Sequence, residues 1–133
     1  MGTRDKLWGS GIYHLLIYLS RERTIKIGSL GRLRFARGYY GYTGSAVSGY
    51  AGRIGRHLAR EKKLRWHIDY LLRRGRVREV WLADGGECSR HARLGRGAAA
   101  VRGFGCSDCA CESHLWQYAR RPAAPRGWRV VKG

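Results

Sequence analysis

The sequence predicts a small α+β domain, in the wider sense an α/β fold, with a central, mainly antiparallel sheet flanked by helices. Three observations predict it. Short runs rich in β-branched and aromatic residues recur in the first half of the chain and again at residues 77–83, as short strands do. Between residues 50 and 63 the apolar positions change to a helical period. Glycines bound the early strand candidates closely enough to favour hairpins, and hence antiparallel neighbours.

Taken in order, residues 1–8 are a polar lead-in with one Trp, and residues 11–19 form the first and central strand. Residues 24–28 and 32–35 alternate basic with apolar and make a hairpin, and residues 38–45 return to pair with the first strand. On a helix from residue 50 to residue 63, Ala51, Ile54 and Leu58 fall on one face and Arg53, Arg56, His57 and Arg60 on another. Residues 66–72 form a second helix ending near Gly75, and the strand at 77–83 closes at Asp84-Gly85-Gly86. A third helix opens at Glu87 and runs to Leu94. After the turn at Gly103-Phe104-Gly105, residues 115–118 form a last edge strand, and the tail from Arg120 packs loosely. With no repeat and no long linker, residues 1–133 read as one domain with a core at about 9–119 and a tail at 120–133.

Charge narrows the partner. The 133-residue chain carries 27 Lys plus Arg against 9 Asp plus Glu, a formal net charge of +18. Such an excess repels itself unless a polyanion meets it, and nucleic acid is the natural partner. Charge alone says binder and not enzyme. The basic residues are scattered among apolar positions, so they belong to a folded surface and not to a polybasic tail. The apolar run 12–19 is interrupted by His14 and is too short to span a bilayer. The expectation is a cytoplasmic protein without a membrane partner. Three of the four cysteines fall within six residues, which fits thiols in a reducing compartment better than a disulfide framework.

Gly11-Ile12-Tyr13, Tyr42-Thr43-Gly44-Ser45 and Arg53-Ile54-Gly55-Arg56-His57 follow one another in that order, ahead of Glu87 at a later helix start. In this the chain resembles the GIY-YIG nuclease superfamily, whose first, second and R-x-x-x-H helix motifs these are. Two departures stand out: the gap between the tyrosine motifs is long, and Thr43 replaces the usual Ile or Val. The interposed residues 25–40, Trp66-His67-Ile68-Asp69-Tyr70-Leu71 and Gly103-Phe104-Gly105-Cys106-Ser107-Asp108-Cys109, with Ser113-His114-Leu115, resemble the Uri-type branch. The resemblance spans residues 11 to about 118.

It implies a metal-dependent endonuclease cutting DNA, with RNA the less expected substrate. Phosphodiester cleavage needs a deprotonated water, positive charge near the phosphate, and help for the leaving oxygen. By resemblance Glu87 binds one divalent cation, Mg²⁺ or Mn²⁺, which retains several waters. Arg53 offers a permanently charged fork to a non-bridging phosphate oxygen. Either Tyr13 or Tyr42 takes the proton from the attacking water, which requires lowering a phenol pKa of about 10. His57 holds the phenolate or a water, or assists proton transfer, and His67 and His114 are further candidates. Arg56, Arg60, Lys62 and Lys63 are expected to touch the nucleic-acid backbone.

Each assignment has a plainer rival. Isolated tyrosines in strands are mostly packing residues. Arg53 and His57 would also suit a solvated basic helix face, Glu87 a simple helix N-terminal acid, and His67 and Asp69 a brace for the domain. The run Cys106, Cys109, Cys111 and His114 invites a structural zinc, with Cys88 or His91 completing the shell, but four ligands within nine residues are crowded. Buried or hydrogen-bonded thiols are the preferred reading, with His114 or Asp108 contributing to the active site as a third. At the level of function, the rivals are a noncatalytic nucleic-acid binder that kept the fold and a structural RNA-associated protein. No sequence-reading element is present, so cleavage is expected to follow DNA structure more than sequence, and Trp8, Tyr39, Tyr40 or Tyr50 could stack on unpaired bases.

Overall fold

In the computed structural model, which describes residues 6–105 and 112–132, the central strand is the one the apolar run marks. β1 (Gly11–Leu19) pairs antiparallel with β4 (Gly38–Ala46) on one side and β5 (Arg76–Ala83) on the other. Between β1 and β4 stand β2 (Arg23–Lys26) and β3 (Arg32–Phe35), a separate two-stranded hairpin joined through a 3₁₀ turn at Gly28–Leu30. The long gap between the tyrosine motifs is this hairpin. Among the described residues the helices are α1 (Tyr50–Leu58), α2 (His67–Leu72) and α3 (Glu87–Arg93). The main sheet is completed by β6 (Ala98–Ala100), β7 (Leu115–Tyr118) and β8 (Arg129–Lys132), in the order β6-β7-β4-β1-β5-β8 with every neighbour antiparallel.

Three local expectations are corrected. Residues 115–118 are not an edge: β7 lies between β4 and β6, and the edge is the Ala98–Ala100 strand. That strand lacks the β-branched and aromatic residues that signal one. The tail packs, since β8 pairs with Val80–Leu82 and Val131 is buried. α1 stops at Leu58 although Ala59, Arg60, Glu61, Lys62 and Lys63 are acceptable helix formers. Local side-chain-to-backbone bonds override propensity here, because Lys62 Nζ donates to the His57 carbonyl and Arg56 to the Lys63 carbonyl, fastening a non-helical return.

Alternation along β1 divides the core into two layers. Tyr13, Leu15, Ile17 and Leu19 pack on one face with Ile54, Ile68, Leu71 and Phe104. His14 and Leu16 point to the other face, where Trp81, Leu94 and Tyr118 are buried and Trp116 and Trp128 pack against them. Two glycines of β4 serve these layers by lacking a Cβ. A methyl at Gly44 would overlap the Tyr13 phenol on the first face, and one at Gly41 would overlap the His14 ring on the second.

Candidate active site

The first face carries a cleft of about 570 Å³ whose wall includes Tyr13, Tyr42, Arg53, His67, Glu87 and His114. The 3₁₀ turn of the β2–β3 hairpin forms part of the rim through Gly28 and Ser29, and Tyr70, Trp66 and Arg65 another part. Residues far apart in the chain therefore meet because β1 and β4 are neighbours, α1 lies over them, and α3 begins at the cleft before crossing to the second face with His91 and Leu94.

His57 stands behind Tyr13. Tyr50, Ile54 and His57 form the buried stripe of α1, so the imidazole enters the core and its Nε2 lies 2.7 Å from the Tyr13 hydroxyl. Burial first, then the positive charge of Lys62, depresses the His57 pKa to about 3 and leaves the ring neutral. Its Nδ1 is buried with no hydrogen-bond partner among the described residues. A buried orphan N–H is rarer and costlier than a bare lone pair, so we assign the hydrogen to Nε2, donating to the Tyr13 oxygen. Tyr13 keeps its own proton for another acceptor.

Burial raises the pKa of both phenols well above 10. For Tyr13 the Arg53 guanidinium opposes this through charge and hydrogen bonding, and the Glu87 carboxylate adds to it. For Tyr42 the Tyr13 and Glu87 charges add to burial while Arg53 again opposes. The two rings are 6.3 Å apart.

Trp66 does more than pack. Arg53 lies over its indole at 4.5 Å from the ring centroid and Arg56 at 4.2 Å, so the ring aligns both guanidiniums as cation–π partners. Arg56 then makes two 2.8 Å hydrogen bonds to the buried Asp69, which also accepts from the backbone N–H groups of Arg65 and Trp66. Burial pushes the Asp69 carboxyl upward, but these donors, Arg56 first, hold it below the usual value. Asp69 is thus the brace, and Arg56 and Lys62 direct their charged heads inward while Arg60 and Lys63 stay exposed. His67 lines the cleft and accepts the Gly105 N–H through Nδ1 at 2.8 Å, and burial lowers its pKa.

His114 joins the cleft to the second face. Its Nδ1 donates to the Thr43 carbonyl at 3.0 Å and lies 3.6 Å from Glu87 Oε1, while its ring stacks on His91. Thr43, the unusual member of the second motif, places its hydroxyl between His14 Nδ1 at 2.8 Å and His91 Nδ1 at 2.6 Å. An Ile or Val there would strip both rings of a partner. His14 Nε2 continues the chain to Tyr118 at 2.9 Å, and His91 stacks on Trp116. The traces of this chain in the sequence are a histidine within an apolar strand and Thr43 itself, where Ile or Val is usual.

Cys106, Cys109, Cys111 and Asp108 lie outside the described residues, and with them most of the zinc expectation. Cys88 is disulfide-bonded, which departs from the expectation of free thiols. Among the described residues no group of three or more His, Cys, Asp or Glu side chains is placed to hold a metal. No helix among them is long and apolar enough to cross a membrane. A family model described as "Domain of unknown function DUF123" matches residues 12–129. No curated protein and no solved structure matches the chain.

Proposed function

The chain belongs to the DUF123 family, a domain of unknown function, and we propose that it is a metal-dependent endonuclease that hydrolyses phosphodiester bonds of DNA. The observation that carries this is the meeting of Tyr13, Tyr42, Arg53 and Glu87, drawn from β1, β4, α1 and α3, in one cleft. These are the residues that the resemblance to GIY-YIG nucleases, and to their Uri-type branch, nominates. The substrate is read as DNA recognised by structure more than by sequence, in processing or repair in the cytoplasm, because +18 of charge supplies backbone affinity without sequence information.

The donor set fits a hard divalent cation. Glu87 is the carboxylate lining the cleft, and the nearby Asp69 is committed to Arg56. One oxygen ligand suits Mg²⁺ or Mn²⁺ keeping most of its waters. When bound, such an ion would polarise the phosphate and acidify the attacking water. The chain's own residues do the rest. Arg53, aligned on Trp66, offers its fork to a non-bridging oxygen and stabilises the charge that develops there. Of the two tyrosines, Tyr13 is the better general base, since His57 Nε2–H and Arg53 both stabilise its phenolate. His57 is a positioning residue, too weakly basic to take the proton itself. Because the phenol is raised, cleavage should climb with pH across the neutral and alkaline range, and Tyr13→Phe should flatten that climb.

Cleavage of end-labelled single-stranded, duplex and branched DNA with Mg²⁺, Mn²⁺ or chelator tests the reading. Metal-dependent cutting that falls by about 10²–10³-fold or more in folded Arg53→Ala and Glu87→Ala proteins is expected. If no substrate is cut while wild type and variants bind alike, the protein is a noncatalytic nucleic-acid binder.

A further inference from the structure

Beyond the end of β5 lies a second hollow, of about 430 Å³, that the cleavage chemistry does not use. Trp8 and Trp128 both line it, and each carries an arginine. The Arg129 guanidinium sits 3.9 Å from the centroid of Trp8 and is fixed by the carbonyls of Lys6 and Trp8 at 2.7 and 3.2 Å. Arg90 sits 5.5 Å from the centroid of Trp128 and is fixed by the Asp84 carbonyl at 2.7 Å. Trp8 is 67 % exposed, a large apolar surface left in water.

The hollow adjoins the cleft along two separate helices. On α1, Tyr50 lines the hollow and Arg53 the cleft; on α3, Arg90 lines the hollow and Glu87 the cleft. Residues three apart on a helix stand about 5–6 Å from one another. That step is of the order of one or two nucleotides along a strand, at about 3.4 Å each when stacked. A strand whose phosphate meets Arg53 and Glu87 therefore brings a neighbouring nucleotide to the hollow.

We propose that this pocket is a base-binding subsite: an unpaired base of the DNA strand held in the cleft inserts there, stacking on Trp8, with its phosphate facing Arg90. Indole faces accept any base, and guanidiniums stacked on them add charge without reading sequence. The subsite selects strands with an extrahelical or unpaired nucleotide beside the scissile bond. This rests on the nuclease reading for the position of the strand.

The test is binding, in chelator, of a duplex bearing one extrahelical 2-aminopurine and of the same duplex with an abasic site in its place. Wild type should quench the 2-aminopurine and prefer the base-bearing duplex by about fivefold or more. Trp8→Ala, which removes an exposed side chain, should abolish both the quenching and the preference while leaving affinity for the abasic duplex unchanged, and Trp8→Phe should restore the preference in part. Equal effects of Trp8→Ala on both duplexes, or none on either, overturn the subsite. Deoxyadenosine monophosphate that protects Trp8 without any base preference in the duplex would put a free nucleotide there and also overturn it. Metal-dependent cleavage by wild type separates the two failures: if cutting persists while the preference is absent, only the subsite falls. If the preference stands and nothing is cut, the nuclease reading falls and the subsite remains. Wild type that binds neither duplex overturns both.

Discussion

On one face of the sheet the polar side chains of β1 and β4 open into a cleft; on the other, residues one step along the same strands close on each other. Tyr13 and Tyr42 line the cleft. His14 and Thr43 are fully buried and bonded in a chain with His91 and Tyr118. The same period of two thus places two kinds of polar residue within one strand. On the cleft side Tyr13 is bonded from behind by His57 and lines the cavity with Tyr42. On the closed side each donor must find an acceptor within the protein or destabilise it. Similar residue types therefore carry different duties, and what tells them apart is whether they line the cleft. Tyr13 is as buried as His14, and each face keeps one buried nitrogen without a partner among the described residues, His57 Nδ1 on the first and His91 Nε2 on the second.

The largest expected effect, acid unfolding, draws on both faces, through His57 on the first and His14 and His91 on the second. His57 and His91 are held near a pKa of 3, mainly by burial, and His14 well below 6.5 for the same reason. In the unfolded chain they titrate at about 6.5, so below that pH the unfolded state binds protons that the folded state refuses. Stability should fall as pH drops from about 6.5 toward 3, by up to ~1.4 kcal/mol per pH unit for each histidine. Urea midpoints measured from pH 7 to pH 5 check it, a flat profile would mean that none of the three stays neutral in the fold, and His57→Gln should remove only the first-face share. Thr43→Val sharpens the comparison at the level of one hydroxyl. Leaving His14 and His91 short of a partner should cost about 2–3 kcal/mol in urea unfolding, with single-turnover cleavage changed less than about threefold where the protein is folded. Cleavage lost at unchanged stability would show that the faces are not separable. The smallest expected effect is on the exposed helix end: Arg60→Ala should lower the log–log salt slope of DNA binding by about one and shift stability by no more than ~0.5 kcal/mol.

Much of this arrangement was legible in the sequence where local chemistry and tertiary structure agree. β1, the hairpin, β5 and the start of α3 follow from apolar alternation and glycine punctuation, and the cleft gathers Tyr13, Tyr42, Arg53 and Glu87 as the motif order suggests. What escaped depends on side-chain and strand contacts that no sequence pattern announces. β6 is three alanines that become a strand only because β7 offers its edge. The early end of α1 is set by Lys62 and Arg56 folding back. Trp66 reads as packing until Arg53 and Arg56 are seen stacked on it. The second-face chain joins residues 14, 43, 91 and 118, which no local pattern connects.

The place of β1 also has a consequence in time. It is the first strand of the sheet to be synthesised, yet its neighbours are β4 and β5, and the last strand, β8, closes the edge beyond β5. Pairings between such distant segments are slow to form, because each must close a long loop before it is rewarded. A nascent chain that has produced Tyr13 and Arg53 still lacks Glu87 and His114, so the cleft is complete only when most of the protein has emerged. β1 can pair with β4 once residue 46 has emerged, but its other edge stays open until β5 is made, which makes the unfinished chain a hazard for aggregation.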